Sequence, residues 1–134
     1  MAEPRFAYLD ASAFVKLVKD EAESAALDAA LAAWPRLSSS TLLEVEGLRA
    51  AQRTHPVAYD TATTLLGGME LIEIDAEIRR TAVALRDPGV QSLDAIHLAT
   101  ALSLGERCGA FFAYDERLIA AARAHGLTVT VPRP

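Results

Sequence analysis

Short apolar runs alternate with helix-like stretches along the whole of this chain. Two of the runs, Phe6-Ala7-Tyr8-Leu9 and Phe111-Phe112-Ala113-Tyr114, each lead straight into an aspartate, Asp10 and Asp115. A run that is hydrophobic at every position reads as a strand buried on both faces, the mark of a parallel sheet covered by helices. Open sheets of that kind bind ligands at the carboxyl edge, where strand order reverses. Two acids delivered to that edge from opposite ends of the sequence point to a single site.

The remaining pattern agrees. Strands are expected at 5–9, 36–38, 71–74, 110–114 and 128–131, with helices at 11–19, 21–33, 42–53, 56–66, 76–86, 92–104 and 116–125. Trp34-Pro35, His55-Pro56 and Gly67-Gly68 end helices. Asp75 and Ser92 are natural N-caps, Asp87-Pro88-Gly89 is a turn, and Gly126 suits a helix C′ position. Strands alternating with helices predict a three-layer α/β sandwich, a central parallel sheet of about five strands with right-handed crossovers.

Composition bounds the reading. At 134 residues the expectation is one domain over 1–134, long enough to bury a sizeable core, and half the residues are hydrophobic. No apolar run reaches the ~18 residues of a membrane span, and Met1-Ala2-Glu3-Pro4-Arg5 lacks the plan of a signal peptide. Cys108 is the lone cysteine, which excludes an intrachain disulfide and fits a reducing cytoplasm. A net charge of −5 argues against a general nucleic-acid coat. It leaves room for a local phosphate-handling site in which metal ions supply the positive charge.

Four acids stand out. Asp10 and Asp115 each also read as the cap of a following helix. Thr41-Leu42-Leu43-Glu44 matches a capping box, which gives Glu44 a structural role. At ~100° per residue Glu46 falls between Leu42 and Leu43 on the wheel, beside Ala50. A glutamate inside an apolar arc is costly unless paired or bound to a metal, so Glu46 is the functional candidate, with a pairing to Arg49 as the alternative. Asp94 lies in the first turn of a strongly apolar helix, where an anion gains ~0.3–1 kcal/mol from the dipole. His97 reads as a packing or hydrogen-bonding histidine, since no Cys or second His stands at ligand spacing.

If Asp10, Glu46, Asp94 and Asp115 converge, two carboxylates ~5 Å apart repel by roughly 3 kcal/mol at an effective dielectric of 20. A hard divalent cation, Mg²⁺ or Mn²⁺, resolves that repulsion and brings phosphodiester hydrolysis within reach.

Four segments, Tyr8-Leu9-Asp10-Ala11-Ser12-Ala13, Ser39 to Ala50, Ser92 to Ala101 and Ala113 to Leu118, together resemble the PIN-domain nucleases, most closely the VapC-type toxins of bacterial toxin–antitoxin pairs. The resemblance covers essentially the whole chain. It implies a sheet of order 3-2-1-4-5, and it implies that Asp10, Glu46, Asp94 and Asp115 form an acidic quartet holding one or two Mg²⁺. Ser12 is then a polar residue lining that pocket. Glu46 followed by Arg49-Ala50 fits the family pattern, whereas Ala113 stands where relatives often have threonine. The resemblance further implies a ribonuclease acting on selected RNA such as tRNA or rRNA, a homodimer, and silencing by a cognate antitoxin. Lys16, Arg49, Arg86 and Arg117 are candidate RNA or phosphate contacts.

Other classes fit less well. A haloacid-dehalogenase-type phosphohydrolase needs a second aspartate where Ser12 stands and a later lysine, and no lysine follows Lys19. A receiver needs paired acids near its first strand, and a flavin site needs a phosphate-cradling loop; neither is found. A stand-alone PIN ribonuclease of RNA processing or decay stays open, as does a non-catalytic PIN-like interaction module.

Overall fold

The computed structural model describes residues 5–134; the reading of the first four residues as lacking a signal peptide lies outside them. The elements follow as β1 (Phe6–Leu9), α1 (Ala11–Val18), α2 (Ser24–Leu31), β2 (Leu37–Ser40), α3 (Leu42–Gln52), α4 (Pro56–Gly67), β3 (Glu70–Ile72), α5 (Ala76–Ala84), α6 (Ser92–Ser103), a 3-10 turn at Gly105–Arg107, β4 (Cys108–Phe112), α7 (Glu116–Ala124) and β5 (Val129–Thr130).

All strand pairings are parallel, and the order is β3-β2-β1-β4-β5. Strand order therefore reverses between β1 and β4, the two strands that lead to Asp10 and Asp115. Alternation along β1 builds the layers. Tyr8 points with Phe111 into a core shared with Leu98 of α6 and Leu118 of α7. Ala7 and Leu9 point with Phe112 to the opposite face, against Ala13 of α1 and Leu27 and Leu31 of α2. A third cluster joins Phe14 and Val18 to Leu43 and Ala51 of α3 and to Ala58, Ala62 and Leu66 of α4.

Two close approaches fix how these layers meet. At Gly109, in the irregularity where Phe6 pairs with Cys108 but Ala7 with Ala110, a Cβ would lie 2.5 Å from the Trp34 ring. At Gly47 a Cβ would lie 2.6 Å from Phe14, so the missing side chain lets α3 sit tightly on α1. Gly126, at φ +87°, closes α7 through the bonds Gly126 N–H to Arg123 O and Leu127 N–H to Ala122 O, a Schellman ending.

Several expected boundaries move. β2 begins one residue later than 36–38 and ends two later, and β3 stops at Ile72, because ladder bonds extend only as far as paired neighbours do. α2 begins at Ser24, whose hydroxyl takes the Glu21 N–H, and α5 ends at Ala84. β4 ends at Phe112, so Ala113 and Tyr114 intervene and Asp115 caps α7 from beyond the strand. The Thr41–Glu44 capping box does not form. Thr41 is already helical in backbone, its N–H is spent on Ile72 O, and the Ser40 hydroxyl accepts from Leu42 N–H instead. Ser92 is likewise the first helical residue of α6, with Gln91 at the cap position. Among the described residues no helix is long and apolar enough to cross a membrane.

Candidate active site at the carboxyl edge of the sheet

Asp10 follows β1 directly, and its N–H extends the ladder to Phe112 O on β4. Its carboxylate caps α1 by accepting from Ala13 N–H at 2.9 Å, and the Ser12 hydroxyl lies 2.7 and 2.8 Å from its two oxygens. The same hydroxyl accepts from Tyr114 N–H at 2.9 Å. Ser12 thus bridges the switch point, joining the end of β1 to the segment that delivers Asp115.

Asp10 is only 3% exposed. Burial pushes its carboxyl up to about 6; His97, the Ala13 N–H and Ser12 pull against that shift, while Asp94 adds to it. Asp94, half-buried in the first turn of α6, is raised too. There burial is the first cause, with Asp115 next and Glu46 also contributing against the downward pull of the Gln91 N–H and His97. Asp10 therefore feels Asp94, and Asp94 feels Asp115 and Glu46. Asp115 is exposed and caps α7 through Leu118 N–H at 3.0 Å. The capping reading of both strand-following aspartates is correct, and it coexists with this field.

Glu46 and Glu44 separate as the wheel indicates: Glu44 is exposed and Glu46 turns inward. The partner of Glu46 is His97, whose Nε2 lies 2.6 Å from Oε1, rather than Arg49. His97 is buried and its Nδ1 lies 2.9 Å from the Tyr8 hydroxyl, so the packing and hydrogen-bonding role expected of it is what it performs. Tyr8 was legible only as an apolar strand residue. Its alternation with Leu9 and its place two residues before Asp10 were the available signals for a hydroxyl facing α6.

The basic candidates scatter. Lys16 bonds Glu23 at 2.8 Å, lies 3.6 Å from Glu21 and sits 4.7 Å over the Tyr114 ring, which makes it a clamp between α1 and its neighbours. Arg117 packs across Gly89, where a Cβ would collide with its Cδ. Arg49 and Arg86 are exposed.

The donor chemistry suits a hard cation: a buried Asp10 and a half-buried Asp94, each raised first by burial and further by a neighbouring acid, with no thiolate among the candidates. Among the described residues, however, no three His, Cys, Asp or Glu side chains stand together as a metal-holding group. The acids share a field without being drawn into a cage, and Ser12, Ala13 and His97 occupy part of their oxygen surface.

Comparison with known proteins agrees with this fold. The family model described as PIN domain matches residues 7–128. The chain is 43% identical over 133 residues to Ribonuclease VapC35 of Mycobacterium tuberculosis, covering 93% of this chain and 96% of the relative. It is 37% identical over 125 residues to Ribonuclease VapC46 of the same organism, with the same coverage. A toxin–antitoxin complex from Klebsiella pneumoniae superposes with a TM-score of 0.67 at 25% identity, over 85% of this chain and 90% of the other. Rickettsia felis VapBC2 bound to a promoter DNA fragment shares the fold, with a TM-score of 0.71 at 13% identity over 95% and 98%.

Proposed function

From the premise that this chain belongs to the PIN-domain family, we propose that it is a VapC-type ribonuclease toxin that cleaves selected RNA, such as tRNA or rRNA, with the help of Mg²⁺ or Mn²⁺. Asp10, Glu46, Asp94 and Asp115 would hold the cation. When bound, a divalent ion supplies charge neutralisation at the phosphate and a lowered pKa for the attacking water. The chain's own residues do the rest. Ser12 orients Asp10 and ties it to the backbone that leads to Asp115. Asp94 is raised first by burial and then by Asp115, both of which a nearby cation would offset. The partners that go with this reading are a cognate antitoxin, which silences the site, and a second copy of the chain.

The observation that carries the proposal is the 43% identity over 133 residues to a ribonuclease, in a chain whose Asp10 and Asp94 carboxyls are both raised, first by burial and then by a neighbouring acid. The test is cleavage by Asp94→Asn. RNA cleavage and growth arrest are both expected to disappear while the circular dichroism spectrum is retained. A folded Asp94→Asn protein that cleaves RNA as well as the native chain would refute it. Sequencing RNA ends after induction identifies the target and the cut site.

A further inference from the structure

One hydrogen-bonded line crosses the three elements that carry the inner acids. The Tyr8 hydroxyl, on β1 two residues before Asp10, meets His97 Nδ1 at 2.9 Å. His97, on α6 one turn after Asp94, meets Glu46 Oε1 of α3 at 2.6 Å. Tyr8 and His97 are 0% and 1% exposed, so neither relies on water. The Tyr8 ring is clamped, stacked on Phe111 at 5.4 Å with 4° between planes and edge-on to His97 at 5.9 Å and 76°.

A phenol O–H donates to a ring nitrogen that carries no proton, so the line has one direction when Tyr8 donates to His97 Nδ1. The imidazole proton then lies on Nε2 and is donated to the Glu46 carboxylate. Glu46 Oε2 has no hydrogen-bond partner among the described residues. A glutamate has three side-chain torsions to immobilise, and fixing one oxygen beforehand lowers the entropy lost when the other takes a ligand.

We infer that His97, set in its tautomer by Tyr8, is a positioning residue that holds Glu46 with Oε2 presented to the cation of the proposed nuclease site. The inference rests on the nuclease reading and adds two residues to it. Its closest alternative is a buried histidine that merely satisfies its own ring nitrogens.

The experiment uses the full chain and Mn²⁺ as probe. Electron paramagnetic resonance titration gives the Mn²⁺ affinity, RNA cleavage is followed against metal concentration, and ¹⁵N NMR gives the His97 tautomer. His97→Leu is expected to weaken Mn²⁺ binding by about 10–100-fold, the cost usual for groups that orient a ligand. His97→Gln, which keeps an N–H for Glu46, recovers most of that loss, and Tyr8→Phe loses less than His97→Leu. Cleavage at saturating metal recovers more than cleavage at low metal, a split that a general loss of folding does not produce. The native protein shows Nε2 protonated and Nδ1 bare.

Native Mn²⁺ affinity in His97→Leu, while Asp94→Asn has lost it, overturns the positioning role and leaves the nuclease reading intact. A proton on Nδ1 alone overturns it as well. Native chain that binds no Mn²⁺ overturns the nuclease reading, and the inference with it. If His97→Leu does not fold, His97→Gln, Tyr8→Phe and the tautomer decide by the same criteria.

Discussion

Asp10 and Asp115 do the same local job in very different surroundings. Each follows a buried apolar run, adopts extended backbone and caps the helix after it through the third N–H onward. Asp10 sits directly at the strand end, 3% exposed, with its carboxyl pushed up to about 6. Asp115 sits beyond two further residues and faces solvent. The contrast teaches that capping and chemistry are separable. A cap needs one oxygen and one N–H, whereas a carboxylate held in unfavourable burial stores a demand for positive charge.

The largest effect that tests this contrast is on activity. Asp10→Asn keeps the cap oxygen and removes the charge, so RNA cleavage is expected to fall by more than about 100-fold, beyond the 10–100-fold typical of groups that only orient a ligand. Asp115→Asn is expected to lose less under the same assay. Equal losses would erase the distinction between the buried and the exposed acid.

Next comes a pH dependence. The folded carboxyl of Asp10 titrates near 6 against an ordinary 3.8, so between those values the folded chain binds more protons than the unfolded one. In chelator, the stability contribution of this group is present at low pH and is lost as pH rises through that window, by on the order of 2–3 kcal/mol. Asp10→Asn is expected to flatten this slope and to melt at a higher temperature than the native chain at pH 7. Urea titrations across pH 4–7 check it, and an unchanged slope in the variant would assign the burial cost elsewhere.

Gly47→Ala probes the packing behind Glu46. Its Cβ would meet the buried Phe14 ring at 2.6 Å, so overpacking is expected to cost about 1–3 kcal/mol by denaturant titration. The smallest effect belongs to the exposed cap: Asp115→Ala is expected to lose ~1 kcal/mol of stability and Asp115→Asn only a few tenths. A larger loss from Asn would mean that the charge of Asp115, and not its capping oxygen, supports the fold.

Much of this architecture could be read along the chain because it rests on local signals. Period-free apolar runs marked the buried strands, Asp75 and Gly126 marked helix ends, and the wheel separated Glu46 from Glu44. Signals that depend on neighbours were misread. Thr41 looked like a cap until the β2–β3 ladder claimed its N–H and Ser40 took over the bond. The surroundings of Lys16 were also beyond local reading: α1 sets its ammonium between Glu21, Glu23 and Tyr114.

The sequence by itself determined the α/β class, the alternation that buries β1 and β4, and the identity of the acids that arrive at the sheet edge, since each follows from periodicity and capping within a few residues. Only the tertiary structure decided that Asp10 would be buried while Asp115 stays in water, and that Glu46 would answer to His97 and Tyr8 instead of Arg49. Those outcomes depend on residues separated by 51 and 89 positions meeting across α3, α6 and β1. Burial and hydrogen-bond partnership are properties of the packed whole, and no local pattern along the chain encodes them.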